Sequence, residues 1–168
     1  VPGAGVKRPT TLRPDGVYEY LEQAGKKPAS NIRELSRTTV PEHIRKTLHA
    51  SKTEKLLHFN RLLTIDNAPI ADVEVYIRVP NEFSPSPEAL ESAGSVFTLL
   101  ERDYGLLLEN IEHALSATAA TPAQAHSLQV QESHPLLVLE SVFFVTGGIP
   151  TAWSSAIHGA REFKYRFA

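Results

Sequence analysis

One hairpin pattern occurs twice in this chain, and this repeat constrains the fold more than any other feature. The first copy, LLHFNRLLTIDNAPIADV, begins at Leu56, and the second, LLVLESVFFVTGGIPTAW, begins at Leu136. Each copy opens with Leu-Leu, runs through apolar residues to a turn and resumes after the turn with a Pro, which predicts a pair of antiparallel strands. We therefore expect two related half-sheets with a cleft between them.

The segments around the hairpins repeat one order of elements. Helix, strand and short helix are predicted over VYEYLEQAG, SNIRELSRTTV and PEHIRKTLHA, and again over SVFTLLERDYG, LLENIEHALSATAA and PAQAHSLQV. The apolar spacing of LLENIEHALSATAA also tolerates a helix. Prolines interrupt RVPNEFSPSPEALESAG, which predicts a loop with one helical turn, and GAREFKYRFA is predicted as a closing strand. This order favours an α+β domain, a mainly antiparallel sheet with helices packed on it.

Composition excludes several classes of protein. The hydrophobic fraction of 42% and the charged fraction of 21% are ordinary for a globular chain of 168 residues. With a formal net charge of −2, the chain lacks the excess positive charge that is typical of a nucleic-acid-binding domain. No apolar run is long enough for a membrane span. The absence of Cys excludes disulfides and thiolate metal sites and fits a cytoplasmic location.

The first residues differ in composition from the rest of the chain. The chain has no Met and opens with VPGAGVKRPTTLRPDG, which is basic and rich in Pro and Gly. Such a composition is typical of a linker. We expect a linker over residues 1–14, an upstream domain that has been removed, and one folded domain over residues 15–168.

Five segments in order resemble the UTRA domain, the effector-binding module of HutC-type regulators in the GntR superfamily. EQAGKKPAS is similar to the family's G-x-x-P-x-S, and PEHIRKTLHASKTEKLLHFNRLLTIDNAPIA to its helix and arginine-bearing strand followed by P-I-A. GSVFTLLERDYGL resembles its S-L-Y-x-x-L-E-x-x-Y-G helix. TPAQAHSLQVQESHPLLVLESVFF resembles A-x-x-L-x-V-x-x-x-x-P-L-L, and GIPTAWSSAIHG resembles G-x-P-x-x-x-S.

The resemblance implies a chorismate lyase-like fold and a role in transcription regulation. Members of the family carry a winged helix-turn-helix upstream, act as homodimers, and commonly repress transcription until an effector binds. The expected partners are therefore a small-molecule effector, a second copy of the chain, and DNA through the missing N-terminal domain only, with no membrane.

Arg61 and Ser95 are the leading candidates for binding an anionic effector. Arg61 lies in mid-strand among apolar residues, where an unpaired charge is costly, and its planar guanidinium suits a carboxylate or phosphate. Ser95 precedes a helix, whose N-terminus favours anions, although it can also be a simple N-cap. The resemblance places Arg61 in the effector pocket and puts Phe97 where relatives often have a pocket Tyr; core packing is the alternative for Phe97.

Departures from the family pattern predict the kind of effector. Sugar-phosphate-sensing relatives tend to have Arg and Glu where this chain has Leu63 and Val73, and Arg where it has Ser141 and His158. These replacements remove charge or hydrogen-bonding capacity, so a sugar phosphate would leave polar groups unpaired. A smaller organic or aromatic acid fits better. The ring-bearing side chains predicted to line its pocket are Tyr18, Phe97, Trp153 and His158.

No catalytic, metal or cofactor motif accompanies these residues. Glu42-His43 and Glu112-His113 are adjacent pairs whose side chains point apart on a regular element, so no metal site is predicted, and no nucleotide fingerprint appears. Two other functions stay open. One is a lyase on the same fold, with Arg61 holding a substrate carboxylate but no acid or base predicted nearby; the other is a dimerisation module without a ligand.

Overall fold

The computed structural model describes Gly25 and residues 28–159, and within them six strands and four helices follow one another in two similar series. The predicted helix over VYEYLEQAG and the predicted strand over GAREFKYRFA lie almost wholly outside the described residues. Among the described helices, none is long and apolar enough to cross a membrane. The elements, in chain order, are β1 (Ala29–Thr38), α1 (Glu42–Thr47), β2 (Leu56–Ile65), β3 (Ala68–Ile77), α2 (Pro87–Ala93), α3 (Val96–Tyr104), β4 (Leu108–Ala119), α4 (Pro122–Leu128), β5 (Pro135–Val145) and β6 (Ile149–Gly159).

The strands form one antiparallel sheet in the order β1-β2-β3-β6-β5-β4. This confirms the predicted α+β class, and the second half repeats the first in reverse order across the sheet. The expectation of a cleft between two half-sheets was wrong, because β3 pairs directly with β6 from Ala71–His158 to Ile77–Ala152. The two hairpins therefore fuse into one continuous sheet whose centre is built from both repeats.

Both hairpins turn where the sequence predicts. Asp66 and Asn67 connect β2 to β3 with φ values of 50° and 64°, a left-handed conformation that these two residue types tolerate better than most. Gly147 and Gly148 connect β5 to β6, and their backbone N–H groups donate to the Glu109 carboxylate at 3.0 and 3.3 Å. The segment LLENIEHALSATAA, which also tolerated a helix, forms the edge strand β4.

Helices cover both faces of the sheet. The face that carries Phe59 and Arg61, here called the arginine face, packs against α2 and α3 in the largest apolar cluster. The opposite face, here called the tryptophan face, carries Trp153 and packs against α1. Helix α4 lies on the tryptophan face as well, with Ala125 and Leu128 against Leu136.

Helix α2 is longer than the single turn predicted from its prolines. Pro87 occupies the first turn, where its missing N–H costs no hydrogen bond, and the Ser86 hydroxyl accepts from the Ala89 amide at 3.1 Å as N-cap. Leu90 is fully buried in the core beneath the helix. Prolines at the start of a helix are favourable, so they mark where α2 begins and do not prevent it.

Two polar contacts hold α2 and the loop before it on the arginine face. The Glu91 carboxylate accepts the main-chain N–H of Ile32 at 2.9 Å, on the outer edge of β1. The Arg37 guanidinium donates to the carbonyls of Pro80 at 3.0 Å and Phe83 at 2.6 Å. Strand β1 is thus covered at its edge, and it also bulges between Arg33 and Ser36.

Candidate functional site

Arg61 is placed by β2 in the middle of the arginine face. Its neighbours across the strands are Ile32 on β1 and Val73 on β3, both apolar. Its side chain is only 2% exposed, and the guanidinium lies 5.9 Å from the centroid of the Phe59 ring. The sequence therefore builds an apolar strand segment around one buried cation.

The guanidinium of Arg61 donates to main-chain carbonyls at the end of α2. One terminal nitrogen donates to the Leu90 carbonyl at 3.3 Å and the other to the Gly94 carbonyl. A cation at the C-terminal end of a helix is stabilised by carbonyl groups that have no partner within the helix. No Asp or Glu among the described residues forms an ion pair with Arg61. Its charge is therefore met by dipoles alone within the described part of the chain.

Ser95 sits directly beside this contact, at the start of α3. Its hydroxyl accepts the Phe97 amide at 3.1 Å, which makes it the N-cap of that helix. The peptide carbonyl of Gly94, which receives Arg61, immediately precedes Ser95, and Gly94 turns the chain with φ 74°. The N-terminal end of α3 and the Arg61 guanidinium thus converge on one short segment, and both favour an anion.

Phe97 belongs to the core under α3. Its ring lies 5.3 Å from that of Phe143, tilted by 39°, and both are buried in the largest apolar cluster. Core packing, the alternative considered from the sequence, accounts for this position. Its contribution to a ligand site stays a prediction.

The second half of the sheet places polar side chains on the same face. Ser141, the repeat counterpart of Arg61, is 3% exposed, and its hydroxyl lies 2.7 Å from Nδ1 of His113 on β4. Ser154 on β6 is the direct cross-strand neighbour of Ser141 and is 8% exposed. His158 is fully buried and pairs across the sheet with Ala71. The arginine face is therefore apolar around Arg61, and its second half carries buried polar side chains at Ser141, Ser154 and His158.

Of the remaining predicted residues, the sheet brings two to Arg61 and separates one. Val73 is the cross-strand partner of Arg61, and Leu63, two residues along β2, is buried on the same face. Trp153 was wrongly grouped with them. It pairs with Tyr76 and packs against Ile44 on the tryptophan face, because neighbouring residues of a strand point to opposite sides. Tyr18 lies outside the described residues.

Sequence reasoning missed three polar residues on the arginine face. His113 was dismissed with Glu112 as an incidental pair, yet it contacts Ser141. Ser30, two residues from Ile32 on β1, has an enclosed hydroxyl that finds no hydrogen-bond partner among the described residues. Ser30 and Ser154 close the segments GKKPAS and GIPTAWS, so a signal for both was present in the motifs already noted.

The described residues hold no group of three His, Cys, Asp or Glu side chains arranged to bind a metal ion. What this face offers is a buried guanidinium, a helix N-terminus and several hydroxyls beside apolar side chains. Such a combination can hold a small molecule that has one anionic group and an apolar body. These features describe an α+β domain of two related halves, with one polar and cationic set of side chains on a helix-covered face.

The comparisons with known proteins give this domain its family. The UTRA domain model matches residues 15–164, and the chain belongs to that family. Three solved structures illustrate the fold. The ligand-binding domain of a candidate GntR-family transcriptional regulator from Bordetella bronchiseptica is 22% identical, with a TM-score of 0.76 over 85% of this chain and 89% of that chain. The effector domain of PhnF from Mycobacterium smegmatis is 15% identical, with a TM-score of 0.76 over 89% of this chain and 91% of that chain. YydK from Bacillus subtilis, a candidate transcriptional regulator, is 18% identical, with a TM-score of 0.76 over 85% of this chain and 63% of that chain.

These relatives also define the extent of the likeness. At 15–22% identity they share the fold with this chain. This chain covers 63% of the YydK chain, whereas it covers about nine-tenths of the two isolated domains. The recognised family and the predicted fold are therefore confirmed.

Proposed function

We propose that this chain is the effector-binding and dimerisation domain of a HutC-type transcription regulator that acts in the cytoplasm as a homodimer. It binds a small anionic metabolite, an organic or aromatic acid in preference to a sugar phosphate, and thereby controls DNA binding by an N-terminal domain. Membership of the UTRA family and the likeness to domains of transcriptional regulators support this role, and they favour it over a lyase.

One observation carries the choice of an anionic ligand. Arg61 is a buried cation that is bonded only to carbonyl dipoles within the described residues. A guanidinium has five N–H donors, and two such contacts leave donors for a carboxylate. An anion beside it would receive charge-assisted hydrogen bonds and offset the cost of burying the charge.

The preference for an organic acid rests on the neighbours of Arg61. Val73 and Ile32 flank it across the strands, and Leu63 follows it, so a sugar ring bound here would meet apolar side chains. Each hydroxyl group left without a partner would cost roughly 1–3 kcal/mol. The body of an aromatic or aliphatic acid has no such groups.

A second candidate is a dimerisation module whose site binds no ligand. The observation that favours it is the same contact between Arg61 and the end of α2, since a structural cation at a helix C-terminus needs no other role. For the sensor, we further propose that it acts as a repressor, so that ligand binding releases DNA.

A thermal-shift screen with Arg61 variants tests the proposal. Aromatic acids, aliphatic acids and sugar phosphates are added to the wild type, Arg61→Lys and Arg61→Ala, with Arg102→Ala as an exposed control. At 100 times its Kd a ligand stabilises the fold by about 2.7 kcal/mol, which raises the melting temperature by roughly 5–10 °C. We expect an organic acid to do so in the wild type and in Arg102→Ala, less in Arg61→Lys and not in Arg61→Ala.

The other outcomes have distinct meanings. A sugar phosphate that stabilises the wild type would contradict the argument from Leu63 and Val73 while leaving the sensor role in place. A broad screen in which no compound changes the melting temperature would favour the ligand-free dimerisation module.

A further inference from the structure

A row of three polar side chains crosses the second half of the arginine face. Ser154 on β6 pairs with Ser141 on β5, and Ser141 pairs with His113 on β4. The row lies two residues along the strands from the row of Arg61, Val73, Ala156 and Leu139. With two strand spacings and two residues between them, the Cα atoms of Arg61 and Ser154 are roughly 12 Å apart.

Ser154 supplies the key observation. Ser154 is 8% exposed, and its hydroxyl forms no hydrogen bond within the described residues. This hydroxyl is not one of their fully enclosed polar atoms, so a small molecule can reach it. An accessible hydroxyl on a helix-covered face that also carries a buried cation is available to a polar group of a ligand.

Ser141 extends the same site. Its hydroxyl has one donor and two acceptor positions, and the contact with Nδ1 of His113 uses one of them. The other positions of this hydroxyl stay available to a ligand. Ser141 and Ser154 are therefore two adjacent hydroxyls, one in contact with a histidine and one that forms no hydrogen bond within the described residues.

Between these hydroxyls and Arg61 the face is apolar. Val73 and Ala156 are cross-strand neighbours in the row of Arg61, and Val75 pairs with Ser154 in the adjacent row. A ligand that reaches from Arg61 to Ser154 must therefore be anionic at one end, apolar in the middle and hydrogen-bonding at the other end. A plain carboxylic acid would leave the hydroxyl of Ser154 as it is now.

We propose that Ser154 and the Ser141–His113 pair are specificity-determining residues that bind a hydroxyl or carbonyl group at the end of the ligand opposite its carboxylate. This proposal rests on the proposed function, because it assumes that Arg61 binds the carboxylate. It narrows the ligand class from organic acids to acids with a distal polar group, such as hydroxyphenyl-alkanoic or ω-hydroxy-alkanoic acids.

Matched ligands test the proposal. Calorimetry with the 168-residue chain compares 3-(4-hydroxyphenyl)propanoate with 3-phenylpropanoate, and 6-hydroxyhexanoate with hexanoate. In the wild type we expect the hydroxylated member of at least one pair to bind roughly 3- to 10-fold more tightly, the factor that one hydrogen bond provides. Equal Kd values within both pairs, with binding lost in Arg61→Ala, would overturn this proposal and leave the proposed function standing.

Variants separate ligand recognition from a structural effect. Ser154→Ala and Ser141→Ala should bring the ratio of the two Kd values to one without weakening the acid that lacks the hydroxyl. Ser155→Ala is the matched control, because Ser155 lies next to Ser154 but on the tryptophan face. Equal weakening of both acids by Ser154→Ala would identify a structural role and contradict the proposal. If none of the four acids binds the wild type, this proposal is wrong, and the broad screen of organic acids decides the sensor role.

Discussion

At the scale of single residues, Arg78 connects three parts of the fold on its own. Its guanidinium bonds the Glu54 carboxylate at 2.6 Å, the Leu48 carbonyl at 3.0 Å and the Pro150 carbonyl at 2.8 Å. The loop after α1, the end of β3 and the start of β6 are thereby joined. Nothing in the local sequence indicates these partners, because they are far apart in the chain and meet only in the folded sheet.

The ion pair between Arg78 and Glu54 makes stability depend on pH. The hydrogen bond from Arg78 lowers the pKa of Glu54 below its ordinary value of 4.5. A lowered carboxyl pKa contributes stability above the unfolded pKa, and this contribution is lost as the pH falls through the folded pKa. We expect Glu54→Gln to lower the free energy of unfolding by about 1 kcal/mol at pH 7.

Urea denaturation at several pH values checks this. The difference between wild type and Glu54→Gln should shrink as the pH falls below 4.5. A difference that is the same at pH 7 and pH 3 would show that the ion pair is not its cause. Glu88→Gln, an exposed change on α2, is the control.

Substitutions at Ser95 distinguish its cap from its proposed contact with an anion. Ser95→Ala removes the hydroxyl that accepts the Phe97 amide and should destabilise the domain by about 1 kcal/mol. Ser95→Asp keeps an N-cap oxygen and should retain near wild-type stability, but its charge would repel an anion near Arg61. We expect thermal melts to show a stable Ser95→Asp protein that organic acids no longer stabilise. Full stabilisation by an acid in Ser95→Asp would exclude Ser95 from the ligand site.

At the scale of elements, α2 is attached to the sheet largely through its second half. Leu90 packs beneath it, Glu91 accepts the Ile32 amide, and its end receives Arg61. Because Arg61 is also the proposed contact for the ligand, an anion that draws its guanidinium away would weaken the hold on α2. In the proposed function, the position of this helix therefore depends on whether a ligand is bound.

Hydrogen exchange can measure the contact between α2 and β1. The Ile32 amide lies on the outer edge of the sheet, and its protection comes from the Glu91 carboxylate. We expect Glu91→Ala to accelerate exchange at Ile32 at least about tenfold, as expected when an amide loses its only partner to solvent. Glu88→Ala should leave that rate unchanged. Unchanged exchange at Ile32 in Glu91→Ala would show that another group protects this edge.

The predictability of these elements differed for physical reasons. Hairpin positions followed from apolar runs and from turn residues such as Asp66 and Asn67, which are local signals. The face on which Trp153 lies was not predictable. It depends on the register of β6 against β3, and a shift of one residue would reverse it. The contact of His113 with Ser141 likewise depends on the pairing of β4 with β5, and neither segment alone indicates that pairing.

At the scale of the whole molecule, the two repeats are joined on the tryptophan face as well as at the centre of the sheet. The Ser127 hydroxyl of α4 donates to the Asp72 carboxylate of β3 at 2.6 Å, and the Asn60 amide donates to the same carboxylate at 2.5 Å. Arg33 on β1 completes this network with an ion pair to Asp72 at 3.3 Å. A helix of the second repeat is thus fastened to strands of the first.

This cross-repeat network leads to a prediction about cooperativity. Ser127→Ala should lower the free energy of unfolding by about 1 kcal/mol, the worth of one hydrogen bond, without splitting the transition. The pairing of β3 with β6 keeps both repeats in one cooperative unit. Calorimetry provides the measurement, since the van't Hoff and calorimetric enthalpies should still agree. A variant that unfolds in two steps would show that the repeats are separate folding units.

The placement of Trp153 has a practical consequence. It is the only tryptophan in the chain, and it is buried on the face opposite Arg61. An effector held by Arg61 is therefore separated from the indole by the thickness of the sheet and cannot quench it by contact. A ligand-dependent change in its emission would report a shift in how α1 and the neighbouring strands pack, so Trp153 fluorescence can test whether binding at Arg61 alters the opposite side of the sheet.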